Sequence, residues 1–270
     1  MYLLEYTKKW NEIINSYLTH HTITMSYGVS VQSNYIPEPF MGDPENSSFV
    51  IVNLNPGAGQ CHSCINQKNV KGTLINKVAM HGYSNAVKDF PYLQEEKNVG
   101  LKDWDNSGGR KWWKAKERWI KHIIKMFEPS YNTKDAIPQD LYPFAMELFA
   151  WHTAKWPKSL NNKMEEGGIW GKNIYDEVIE PLHDAIKKSK FKFAFCVGRP
   201  IGSIIGSFNN FSKINSKQIQ PIKSIQRFYD IYHDGKDCYI INTWAQGGNT
   251  YPSMKFEKEE ENIYKTYCTF

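Results

Sequence analysis

Asn55 follows the run Phe49-Val50-Ile51-Val52-Asn53-Leu54 and precedes Pro56-Gly57. A side-chain amide carries both donors and an acceptor and so can hold a water molecule. The Pro-Gly step lets the backbone turn and approach a ligand closely. Glu147 interrupts the otherwise apolar Pro143-Phe144-Ala145-Met146-Glu147-Leu148-Phe149, and Ala150-Trp151-His152-Thr153 follows it. A buried carboxylate without a partner is costly, so Glu147 is expected either to pair with a cation such as Arg199 or to open onto a pocket. His152 has a ring suited to proton transfer near neutrality, and a hydrogen-bonded structural histidine is the alternative reading. Gly198-Arg199 and Gln246 with Asn249 stand after two further apolar runs, where polar residues form either turns or a binding rim.

Two other groups carry chemical potential. Arg110, Lys111, Lys114, Lys116, Arg118, Lys121 and Lys125 crowd one segment opposed mainly by Glu117. Such a cluster suits phosphate contacts, and a solvated helix face is the competing explanation. Cys61-His62-Ser63-Cys64 has the spacing of half a zinc site. Tetrahedral zinc needs two more ligands and no matching second pair exists, so no metal and no other cofactor is expected.

These residues need elements to position them. The run Phe49 to Leu54 is β-branched and nearly continuous, as in a parallel strand buried on both faces. Pro143 to Phe149 and Phe191 to Val197 read the same way, and Arg227 to His233 with Cys238 to Trp244 bracket the turn dipeptide Asp234-Gly235. Helical spacing of Leu3, Tyr6, Trp10, Ile13 or Ile14, and Tyr17 predicts an N-terminal amphipathic helix. Trp112, Trp113, Lys116, Trp119, Ile120, Ile123, Ile124 and Phe127 mark the inward stripe of another, and Asn173 to Lys188 predicts a third. Tyr35 to Phe40 holds Pro37 and Pro39 and must be extended. Strands alternating with helices predict an α/β fold, a three-layer α/β/α sandwich on a short, mainly parallel central sheet. Loops leaving parallel strands converge at the carboxyl edge, so the pocket is expected where Leu54 runs into Asn55.

Composition bounds the rest. At 270 residues, with 41% hydrophobic and 14% aromatic, the chain is a folded globule, read as one domain over 1–270 with an N-terminal helical extension (1–20) and an insertion (60–110). Five cysteines and no signal-like segment point to a reducing, cytoplasmic setting without membrane spans. The net charge of +5 favours an anionic partner.

The order of these pieces resembles the uracil-DNA glycosylase superfamily. Val52-Asn53-Leu54-Asn55-Pro56-Gly57 is similar to its first motif, Met146-Glu147-Leu148 to the strand whose end reads the flipped base, Phe195-Cys196-Val197-Gly198 to the third strand, and Thr243 to Asn249 to the last strand and its DNA-gripping loop. The resemblance implies a DNA glycosylase acting in DNA repair, a monomer that binds nucleic acid, DNA in first place, and hydrolyses an N-glycosidic bond. Asn55 would position water, Pro56 and Gly57 would offer backbone amides to the base, Glu147 would read it, and Phe40 or Trp151 would stack on it. His152 would donate to the departing base. Gly198, Arg199, Gln246, Asn249, Ser253, Lys111 and Lys114 would meet the backbone. Two departures stand out: the base-reading place, usually asparagine, is Glu147, which as an acceptor suits an amino-bearing base better than uracil, and the last loop offers Tyr251-Pro252-Ser253 only some residues on. The alternatives are an inactive nucleic-acid-binding module of the same fold and a hydrolase of small nucleosides.

Overall fold

The computed structural model describes residues 2–20, 31–54, 63–88, 108–153, 175–206, 210–222, 225–245, 252 and 257–267. Its centre is a mixed sheet of seven strands among the described residues: β1 (Phe40–Met41), β2 (Val50–Asn53), β3 (Phe144–Glu147), β4 (Phe193–Val197), β5 (Ser212–Ile222), β6 (Ile225–His233) and β7 (Tyr239–Ala245). They lie in the order β1-β3-β2-β4-β7-β6-β5. The neighbours β3, β2, β4 and β7 are parallel and therefore share one carboxyl edge. Every residue of β2, β3 and β4 is buried, which is why these strands are apolar runs rather than alternating ones.

The expectation of a short, mainly parallel sheet needs correction. β1 pairs with β3, β6 with β7 and β5 with β6, all antiparallel, so the pairings divide evenly. The cause is that β5 precedes β6 directly in the chain and joins it antiparallel, beside the β6–β7 hairpin, and that the two-residue β1 runs against β3. β5 then adds an edge on which Ser212, Lys213 and Ile214, and again Ser216, Lys217 and Gln218, are exposed. Lysines on such an edge discourage pairing with another chain.

Helices pack on both faces. They are α1 (Leu3–His20), α2 (Leu74–His81), α3 (Tyr83–Val87), α4 (Gly108–Phe127), α5 (Glu180–Lys188, preceded by the wider turns of Tyr175–Ile179), α6 (Arg199–Gly206) and α7 (Glu257–Tyr267). On one face Phe195 meets the rings of Trp119 from α4 and Tyr264 from α7, each at 5.5 Å. On the other, Phe40 is edge-on to Tyr83 of α3, and the Tyr232 hydroxyl donates to the Gly202 carbonyl of α6 at 3.0 Å. α1 buries Leu3, Tyr6, Trp10, Ile14 and Tyr17 as its spacing predicts. No helix among the described residues is long and apolar enough to cross a membrane.

Candidate functional site

β2 and β3 end side by side, with Asn53 the register partner of Glu147. Paired residues of adjacent strands face the same way, so the Asn53 amide Nδ2 donates to Glu147 Oε1 at 2.8 Å. The pairing continues past the strands, because Leu148 N donates to the Asn53 carbonyl at 3.0 Å and Phe149 N to that of Leu54 at 2.9 Å. The end of β2 is therefore held against the end of β3 as far as Leu54 and Phe149. Glu147 is only 8% exposed, and its Oε2 has no hydrogen-bond partner among the described residues.

The cation beside Glu147 is Lys116, not Arg199. Lys116 stands in the inward stripe of α4 and is 1% exposed, whereas Arg199 is exposed at the start of α6. Burial pushes the Glu147 carboxyl up to about 8, although the Lys116 charge and the Asn53 hydrogen bond oppose the rise and Glu38 adds to it. Burial likewise pulls the Lys116 ammonium below its ordinary value, against the attraction of Glu147 and Glu38. Each charge lowers the cost of burying the other.

The segment between the two prolines supplies Glu38. Pro37 and Pro39 lack amide hydrogens and keep the chain extended. The amides that remain are used in turn: Gln32 N donates to the His152 carbonyl at 2.9 Å, Ile36 N to that of Ser63 at 3.1 Å and Glu38 N to that of Ala150 at 2.8 Å, while Glu147 N donates to the Pro39 carbonyl at 2.9 Å. This lays Glu38 beside His152, whose Nε2 is 3.0 Å from Glu38 Oε1. Ser63 Oγ lies 3.5 Å from the same nitrogen. A nucleophile relay needs acid and hydroxyl on opposite ring nitrogens, so these three do not make one. His152 Nδ1 is buried with no partner among the described residues and is the nitrogen left for proton transfer.

The remaining expected site residues divide three ways. Phe40 is not available for stacking: it pairs with Met146, points to the other face of the sheet, and is surrounded by Tyr83, Phe144 and Tyr6 at 5.2, 5.7 and 6.1 Å between centroids. A ring paired with the neighbour of Glu147 must face away from it, which sequence proximity to the prolines does not reveal. Trp151 is buried edge-on against Tyr17 at 5.5 Å. Gly198 ends β4 at φ +145°, a backbone that suits glycine, and its amide donates to the Thr243 carbonyl at 3.0 Å. Asn55, Pro56, Gly57, Gln246, Asn249 and Ser253 lie outside the described residues, as do the side chains of Lys111 and Lys114 within α4. Elsewhere in the basic cluster Lys121 pairs with Glu117 at 3.4 Å and Lys125 donates to the Pro129 carbonyl, so part of that charge is used locally. Of the Cys61/Cys64 pair, Cys64 is a half-buried thiol and Cys61 lies outside the described residues.

Sequence reasoning gave no role to Asn53, Glu38 or Ser63. Glu38 did leave a signal, an acid between two prolines in an apolar setting, and Lys116 left another, a charge in the buried stripe of its helix. A hollow of about 490 Å³ lined by Asp43, Asn46, Lys88, Gln139, Asp140 and Tyr142 lies at the opposite edge, where β3 begins. The arrangement at the carboxyl edge is thus a buried cluster of two acids, an amide, an ammonium and an imidazole, with one carboxylate oxygen and one ring nitrogen uncommitted among the described residues. No protein-family model, curated protein or solved structure matches the chain.

Proposed function

We propose that the chain hydrolyses the N-glycosidic bond of an amino-bearing base in nucleic acid, with the three-layer architecture and site layout of the uracil-DNA glycosylases. The observation that carries this reading is Glu147: a buried carboxyl at the end of a central parallel strand, gripped through Oε1 by Asn53 and uncommitted at Oε2 among the described residues. An ionised Oε2 accepts a hydrogen bond from an exocyclic amine, and a protonated one donates to a ring nitrogen or carbonyl. Both are groups on the edge of a base turned out of its stack.

Breaking the glycosidic bond leaves positive charge on the sugar and negative charge on the base. Asn55, two residues beyond Asn53, would orient the attacking water, whose oxygen bonds to the anomeric carbon as the bond to the base nitrogen breaks and whose surplus proton passes to solvent. His152 Nδ1 would protonate the departing base, with Glu38 holding the ring through Nε2. Lys116 stabilises the ionised form of Glu147 and sets how readily the carboxyl changes protonation.

A second reading has its own support. The Lys116 and Glu38 charges around Glu147 are what a structural polar core would contain, and they favour a nucleic-acid-binding module of this fold without chemistry. Oligonucleotides carrying varied bases at one labelled position separate the two. Alkali-labile scission at one class of amino-bearing base, lost in Asn55→Ala, is the expected result. Salt-sensitive binding with no scission at any base overturns the enzyme and leaves the module.

A further inference from the structure

At the amino edge of the sheet, away from the residues of the proposed reaction, three side chains of different chemistry converge. We propose that His183, Asp234 and Cys238 form a binding site for a borderline divalent cation of the zinc type, which ties α5 to the turn between β6 and β7. His183 Nε2 lies 3.2 Å from Asp234 Oδ2. One ring nitrogen, one carboxylate oxygen and the Cys238 sulfur all lie within 4.8 Å of one another. Around zinc, with bonds of roughly 2.0–2.3 Å, tetrahedral neighbours stand about 3.2–3.8 Å apart. The nitrogen and oxygen already meet that spacing, and the sulfur, which donates to Asp237 Oδ1 at 3.6 Å, would turn from that carboxylate toward the ion.

The donor set selects the ion. One imidazole, one carboxylate and one thiol suit zinc, cobalt or a similar cation, whereas calcium and magnesium take oxygen shells. The carboxylate is also oriented from behind. Asp234 Oδ1 accepts the amides of Lys236, Asp237 and Cys238 at 2.9, 3.1 and 3.1 Å, which leaves Oδ2 turned toward His183. Outer hydrogen bonds of this kind hold metal ligands in place. Phe211 packs edge-on to the His183 ring at 5.0 Å. Cys238 is fully buried and the His183 side chain 16% exposed, so the site is deep on one side and reachable on the other. Three protein ligands leave the fourth tetrahedral position to water.

An ion would change the state of the thiol. The Cys238 sulfur, fully buried beside Asp234, would bind the ion as the thiolate. Coordination replaces the thiol proton: the S–H bond breaks, a sulfur–metal bond forms, and one proton leaves to solvent, while neutral His183 gives its Nε2 lone pair. Binding therefore strengthens as pH rises.

The test uses the full chain, stripped with a chelator and titrated with Co(II). The expected result is a thiolate-to-cobalt charge-transfer band that saturates near one ion per chain, is displaced by Zn(II), and is absent in Cys238→Ser. His183→Gln should weaken Co(II) affinity by about 10-fold or more while leaving the far-UV circular dichroism unchanged. No charge-transfer band in the wild-type chain overturns the site. So does a band that survives in Cys238→Ser, which assigns it to another thiol. Because the buried serine substitution can disturb folding, His183→Gln decides independently: a folded variant that binds Co(II) as tightly as wild type also overturns it, leaving His183 and Asp234 as a hydrogen-bonded pair beside a bystander thiol.

Discussion

Glu147 and Glu260 are both buried carboxylates on one face of the sheet, and they are kept in different company. Glu260, on α7, accepts the Tyr229 hydroxyl at 2.8 Å and lies near the buried Arg227, which itself donates to Thr243 Oγ1 at 2.9 Å; His122 Nε2 stands 3.8 Å from its second oxygen. Burial raises the Glu260 carboxyl to about 7, opposed by Tyr229, Arg227 and Tyr264. Among the described residues each acid has one hydrogen-bonded oxygen and one without a hydrogen-bond partner; what differs is the company, Asn53 and the Lys116 ammonium for Glu147 against Tyr229, Arg227 and His122 for Glu260. Two kinds of buried charge are separated by this contrast. Glu260 is surrounded by partners between packed elements, as a group that fixes a helix to a sheet should be. Glu147 sits at a strand end, where the chain leaves the sheet and the ligand edge of an α/β fold begins.

Removing each acid should give opposite signatures. Glu260→Ala leaves Arg227 buried without its carboxylate and is expected to cost about 3 kcal/mol or more. Glu147→Gln retains a carbonyl that accepts from Asn53 and leaves Glu38 as the remaining carboxylate near Lys116, so it is expected to cost less than Glu260→Ala, about 1–2 kcal/mol, while reducing base release by about 10-fold or more. Urea midpoints and a scission assay on the same preparations check both. Equal stability losses would erase the distinction.

A pH series probes the same contrast. The folded carboxyl of Glu260 stands near 7 against an ordinary 4.5, so between these values the folded state holds more protons than the unfolded state. Its stabilising contribution is complete below about pH 4.5 and is lost as pH rises through about 7, amounting to about 3 kcal/mol at most. Glu260→Gln should lack that fall, visible as a flatter dependence of the urea midpoint between about pH 5 and pH 8.

Asn55→Ala is expected to lower turnover by about 100-fold, which corresponds to losing the placement of one reacting water, with an unchanged unfolding midpoint. Full activity in this variant would make Glu147 as structural as Glu260. The smallest expected effect lies on the other face. A Cβ at Gly202 would stand 2.7 Å from the fully buried Asn242 Nδ2, so Gly202→Ala should destabilise by about 1 kcal/mol through crowding, with base release unaffected.

The central strands were legible as apolar runs, since β2, β3 and β4 are buried on both faces and need no polar alternation. The inward stripes of α1 and α4 were legible from their spacing, Lys116 included. β1 was not, because two residues carry no period. Nor was β5: a solvent-facing edge strand built from Ser212-Lys213-Ile214-Asn215-Ser216-Lys217 shows no buried stripe to read.

Local chemistry alone required that Glu147 be compensated, because desolvation acts within a few residues. Which groups do the compensating came from packing. Glu38 and His152 meet across 114 positions, and Lys116 reaches Glu147 from a separate helix, because strand order and helix placement bring them to one face. The same packing turned Phe40 away from the site and put His183 beside Asp234 and Cys238. Long-range pairing of this kind is set by the global burial of apolar surface, which no local spacing encodes.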